Sequence, residues 1–183
     1  FSYIPILPSC VLFFFSVIFK VLLMLVWAFV SFVVLFVWES VFPFFSFGNE
    51  YYRVQHVLVN VFFAALNMLI GYLIFKRLFA FSFDFSKRFG LLNICFGVQS
   101  RRFVRVVAAV VLMDLWTYSW HLINHQFEFF WNFHSLHHAD EFMDVSSAFR
   151  FHVGEIFFSN CFRLPLIVLL GINPTEMAIY ESI

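Results

Sequence analysis

Residues 121–138, HLINHQFEFFWNFHSLHH, put five histidines into eighteen positions of a chain otherwise dominated by apolar side chains. His121 and His125 stand four apart, and His134, His137 and His138 form an HxxHH run. On a helix, residues three or four apart share a face, so either spacing brings imidazoles within reach of a common ion. HxxxH alone is a weak signal. HxxHH close behind it is far more specific. With His152, six of the seven histidines fall between 121 and 152.

Working upstream, Asp114, Tyr118, His121 and His125 recur at i, i+4, i+7 and i+11, within about 60° on a helical wheel. Such a stripe either packs against polar protein or lines a metal cavity, with Asp114 or Tyr118 orienting a ligand. Asp114 lies two turns from His121, so any direct hydrogen bond from it would have to reach a ligand on another segment. Neutral imidazole suits zinc, copper, iron and nickel alike. The ligand count says more: one zinc site takes about three or four protein ligands, and five or six histidines overfill it. Two metal ions fit better. A metal-free cluster would charge below about pH 6.5, which is unfavourable beside a membrane, so a metal site outweighs a plain polar network.

The rest of the chain calls for lipid. Of 183 residues, 63% are hydrophobic and 12% charged, about half the charge of a soluble domain. A core of this size cannot bury so much apolar surface, and the 32 phenylalanines read as lipid-facing bulk. Net charge is zero, which gives no reason to expect a nucleic-acid partner. Cys10, Cys95 and Cys161 form no CxxC, against a disulfide framework or thiolate site. Phe1 is followed by no basic region, so no cleaved signal peptide is expected, and the missing start points to a fragment.

Residues 21–38 and 57–75 are uncharged stretches of membrane-spanning length and form a predicted helical hairpin, with Lys20 reaching for the headgroups. Residues 39–53 make a polar turn, and His56 beyond it reads as an interfacial histidine. From 76 to 105 come seven of the eleven basic residues against one acid, Asp84, which places this connector in the cytoplasm. Inside it, GLLNICFG reads as an interfacial or re-entrant piece. The apolar run from Val106 is interrupted by Asp114 and looks too short to span, favouring a shallow or re-entrant helix. Residues 156–172 form another apolar segment, broken by Arg163 and Pro165. The expected fold is an all-α integral membrane bundle with a membrane-adjacent, histidine-rich helical segment. Residues 1–105 make its hairpin and connector, and 106–183 its chemical part.

The stretch from DLWTYSWHLINH through FFWNFHSLHHADEFMDVSSAFRFHVGE, residues 114–155, resembles the fatty acid hydroxylase/sterol desaturase superfamily of membrane di-iron enzymes. Upstream, WESVFP and YRVQHVLVN resemble the glutamate-proline turn and arginine-asparagine helix start of one branch. The resemblance implies that His121 and His125 form the first histidine box and His134, His137 and His138 the second. It further implies that His152 is an additional metal-associated histidine, flanked by Arg150 and by Glu155 as an outer support. Leu122, Asn132 and the Val153-Gly154 pair depart from the family pattern. The family continues into a third HxxHH box, and the ending INPTEMAIYESI resembles the stretch before it, so a truncated chain is expected.

By this resemblance two iron ions and O2 hydroxylate or desaturate a lipid C–H bond, the metal ligands being the only catalytic groups. Electrons come from a separate reductase, cytochrome or ferredoxin, since the chain has no Rossmann fingerprint or CxxCH. The membrane would be the inner one of a bacterium or the endoplasmic reticulum, with the metal facing the cytosol. The rival readings are a zinc-binding membrane protein and a non-catalytic relative without the third box.

Overall fold

A computed structural model describes residues 26–27, 29–43, 48–96 and 102–183. Lys20, Cys10 and the first part of the 21–38 span lie outside them. Among the described residues there are helices and no strands. They are α1 (Phe29–Val41), α2 (Glu50–Phe89), α3 (Leu91–Phe96), α4 (Arg102–Gln126), α5 (Glu128–His138), a 3-10 turn (Val145–Phe149), α6 (Val153–Leu170) and α7 (Pro174–Glu181).

Helix α2 starts at Asn49, whose side chain accepts the Tyr51 amide, and runs for 40 residues. That is about 60 Å, twice a bilayer's hydrocarbon thickness. Its sequence contains no proline and one glycine, Gly71, so nothing stops it where the charges begin. Lys76 to Arg88, expected in a connector outside the span, therefore continue the helix. Lys87 and Arg88 occupy the last turn, where the helix dipole favours them.

Helix α4 also outruns its sequence reading, and α6 runs unbroken through the residues read as interruptions. Asp114 sits mid-helix, exposed, and α4 continues past it for 25 residues in all. Arg163 and Pro165 both lie inside α6, with Arg163 reaching Glu181 at 2.7 Å. Among the described residues, three helical stretches are long and apolar enough to cross a membrane: Tyr51–Phe96, Arg102–Gln126 and Val153–Leu170. With large apolar side chains exposed along them, the chain is an integral membrane protein. A shallow course for the segment after Val106 is not required by its length.

α2 and α6 run side by side in the same direction. Asn67 bonds the Phe151 carbonyl, Phe75 packs on Phe157, and the Ser86 hydroxyl reaches the Ile172 carbonyl. At the far end their backbones touch: a Cβ on Gly90 would lie 2.0 Å from the Gly171 Cα. Gly171 caps α6 at φ 78°, a left-handed turn that glycine takes freely. Arg105, counted by sequence among the cytoplasmic basic residues, is buried there. It donates to Glu176, to Asn93 at 2.7 Å and to the Gly171 carbonyl at 2.8 Å. Leu92, Ala109, Met113, Ile167, Leu170, Ile172 and Met177 form the apolar core around this knot. Arg105 and His121 are sixteen residues apart on α4, about 24 Å along its axis. If α4 crosses, the basic segment and the histidines cannot both face the cytosol.

Candidate metal centre

The histidines gather where α4 ends. Phe127 leaves the helical conformation at φ −108° and ψ 117°, and α5 begins one residue later. This bend swings α5 back so that its His134 and His138 meet His121 and His125. The centroid of the His134 ring is 4.7 Å from His121 and 5.0 Å from His125, and His138 is 4.7 Å from His125. The Nε2 atoms of His121 and His125 are 3.1 Å apart, as are those of His134 and His138. One ligand atom from each of the four lies within 4.8 Å of all the others. Around an ion with nitrogens at about 2.1 Å, neighbouring ligands stand about 3 Å apart and opposite ones about 4.2 Å. The four rings therefore suit one ion with little adjustment.

Behind the rings, Glu155 projects from the first turn of α6, and its Oε1 accepts the Nδ1 proton of His134 at 2.8 Å. This contact fixes the His134 tautomer, leaving the Nε2 lone pair directed at the other rings. Asn124 reaches the same oxygen at 3.5 Å. His134 and Asn124 are both buried, whereas His121, His125 and His138 are exposed. Burial, reinforced by the other four histidines of the two boxes, pushes the His134 pKa down to about 3. Burial and His125 lower that of His138; burial, then His138 and His121, lower that of His137. At neutral pH these rings are uncharged, the form that binds metal.

Two predicted ligands point elsewhere. His137 lies flat on Phe151, centroids 4.6 Å apart and planes 9° apart, and its buried Nδ1 has no hydrogen-bond partner among the described residues. It is one residue off the face shared by His134 and His138, which are four apart. His152 caps α6: its Nδ1 accepts the Gly154 amide at 2.9 Å, and its ring packs on Phe133. A neutral ring accepting at Nδ1 carries its proton on Nε2, so neither nitrogen is open to an ion in this arrangement.

Of the three predicted orienting residues, only Glu155 touches a box histidine. Asp114 and Tyr118 stay on the exposed face of α4. Asp114 lines a cleft of about 520 Å3 with Tyr180, Glu181 and Ile183 rather than the histidine centre.

His56, read from sequence as interfacial, instead lies between protein groups, its Nε2 2.8 and 2.9 Å from the two Asp140 oxygens. Sequence reasoning also passed over Trp131, whose ring centroid lies 5.2 Å from His125 and 5.6 Å from His138. A tryptophan three residues before the HxxHH run is one helical turn from His134, and that spacing could have flagged it.

Together these features define a helical membrane protein in which four imidazoles from two joined helices converge beside a buried carboxylate. Residues 106–183 match the model of the fatty acid hydroxylase family, part of the fatty acid hydroxylase/sterol desaturase superfamily that the sequence resembles. No curated protein and no solved structure matches the chain.

Proposed function

We propose that this chain belongs to a membrane-bound, iron-dependent oxidoreductase that uses O2 to hydroxylate or desaturate a C–H bond of a lipid. The observation that carries the reading is the mutual approach of four imidazole nitrogens within 4.8 Å, in a segment of the matching family. His121, His125, His134 and His138 would hold one iron. His137, whose ring centroid is 5.3 Å from His138 and whose Nδ1 has no partner among the described residues, is the nearest further ligand for a second. When bound, iron supplies the activation of O2 and the attack on an unactivated C–H bond.

The chain's own residues prepare the place. Glu155 keeps the Nδ1 proton of His134 and so presents Nε2 outward. On the protein side, Trp120, Phe130 and Phe162 pack ring to ring at 5.1–6.3 Å. Phe129, Phe133 and Phe158 continue this run of ring contacts. The exposed rings of His121, His125 and His138 face the open side, where lipid and O2 would approach. Electrons would come from a separate reductase, cytochrome or ferredoxin. The host membrane would be a bacterial inner membrane or the endoplasmic reticulum, with the centre facing the cytosol.

Metal analysis of the purified protein, with His134→Ala and His138→Ala beside it, tests the reading. Iron in the wild type that each substitution removes, with O2 uptake on adding lipid and a reductant, is the expected result. Iron retained by both variants would overturn it. A four-imidazole set also suits zinc, and zinc in place of iron without O2 uptake would select a non-redox role.

A further inference from the structure

Segment 140–151, between the second box and α6, is held by polar side chains that arrive from α1 and α2. Glu39 of α1 accepts the Val145 amide at 2.8 Å. From α2, Asn60 donates to the Ser146 hydroxyl at 2.9 Å and Asn67 to the Phe151 carbonyl at 2.8 Å. His56 supplies the fourth link, through Nε2 to Asp140, and its Nδ1 lies 3.5 Å from an Asp144 oxygen. The junction is Asp140, two residues after His138. Its buried carboxylate also takes the Ser147 hydroxyl and sits 3.4 Å from the Arg150 guanidinium. Four side chains spread over 29 positions of the membrane hairpin thus converge on the twelve residues that follow the second box.

A buried carboxylate meeting a histidine, a hydroxyl and a guanidinium has little freedom to move, because each displacement would leave a polar group without a partner. Asp140 continues directly from the last turn of α5, through Ala139, so fixing it fixes where His137 and His138 can stand. Its charge also acts on the imidazole of His137.

We propose that His56 is a positioning residue for the metal centre: with Asp140 it locks the end of α5, and so the second histidine box, onto α2. Among the described residues the side chain of His56 meets Asp140 and Asn60, and it acts on the second box through Asp140. The inference rests on the four-histidine cluster being the metal site. It adds that the hairpin, which lies outside the stretch matching the family, sets the geometry of that site.

Cobalt(II) titration of the full chain in detergent tests this, because the visible bands of cobalt report ligand geometry without turnover. His56→Ala should retain wild-type helicity by circular dichroism, bind cobalt about tenfold more weakly and show shifted bands. His56→Gln, which can donate to Asp140 again, should recover most of both. If His56→Ala does not fold, Ser147→Ala removes a different bond to Asp140 and should move the bands in the same way.

A folded His56→Ala, or failing that a folded Ser147→Ala, with wild-type affinity and bands would overturn the proposal. So would a shift that His56→Gln fails to reverse. Failure of the metal reading shows differently: cobalt binding by the wild type would then be absent or indifferent to His134→Ala, and the proposal would fall with it.

Discussion

The proton between His134 and Glu155 decides which face of the imidazole is offered to an ion. Glu155→Ala would leave the Nδ1 proton buried without its acceptor, at a cost of about 1–3 kcal/mol in stability. Metal affinity should fall about 10- to 100-fold, as when the outer partner of a ligating histidine is lost. Glu155→Gln keeps an accepting oxygen and should lose much less of both. Thermal melting and metal titration of the two variants check this.

The same burial sets a pH dependence. His134 holds its pKa near 3 in the fold against about 6.5 in an unfolded chain, so between those values the unfolded chain binds the extra proton. The stability of the metal-free protein should therefore fall as the pH drops below about 6.5, flattening only near pH 3. Asp140 adds to the loss at the acid end. Burial alone would raise its pKa, but Ser147 and His56 hold it below the usual carboxylate range, so its contribution disappears on protonation. Melting temperatures of the metal-free protein at pH 7.5, 6 and 5 should decline in order, and His134→Ala should flatten the decline.

At the scale of elements, backbone contacts separate glycines that matter from one that does not. Gly171 has a left-handed φ, and a Cβ on it would lie 2.7 Å from the Gly90 Cα. Gly171→Ala should destabilise the protein by at least about 1–2 kcal/mol from backbone strain alone, with the clash added. Gly71 lies mid-helix with nothing within 4 Å of a Cβ, so Gly71→Ala should be neutral or stabilise by up to about 1 kcal/mol. Melting in detergent distinguishes the three proteins.

Elements were readable from the sequence where local rules suffice. Spacing put His121 with His125 and His134 with His138 because a helical turn is a local matter. Sequence marks charges and an aspartate as helix ends and a proline as a break, and the helices run through all of them. Charge does not stop a helix, and Pro165, which lies inside α6, withdraws one backbone donor. Pairings such as His56 with Asp140, 84 residues apart, or Arg105 with Glu176, 71 apart, depend on which helices become neighbours. No local pattern carries that information. The same holds for His137, whose spacing fits a box but whose ring is claimed by Phe151.

Over the whole molecule, apolar helices join two polar ends among the described residues. One is the histidine end, with Asp140 and the start of α6; the other is the knot of Arg105, Asn93, Gly171 and Glu176. Cys95, exposed on α3 beside that knot, marks the far end. With Cys10 and Cys161 replaced by serine, a membrane-impermeant maleimide should reach Cys95 from one side of sealed vesicles. It should reach an Ala139→Cys substitution from the other. Labelling of both from one side would mean that α4 lies along the surface.

Of the four rings that meet at the bend, one is rooted in the interior and three stand at the surface. If the proposed ion binds there, it would meet the three exposed rings before the buried one and would leave past them. Supply and theft of the ion would therefore proceed without opening the bundle, and a cell could strip or refill this protein while it stays embedded where it was made.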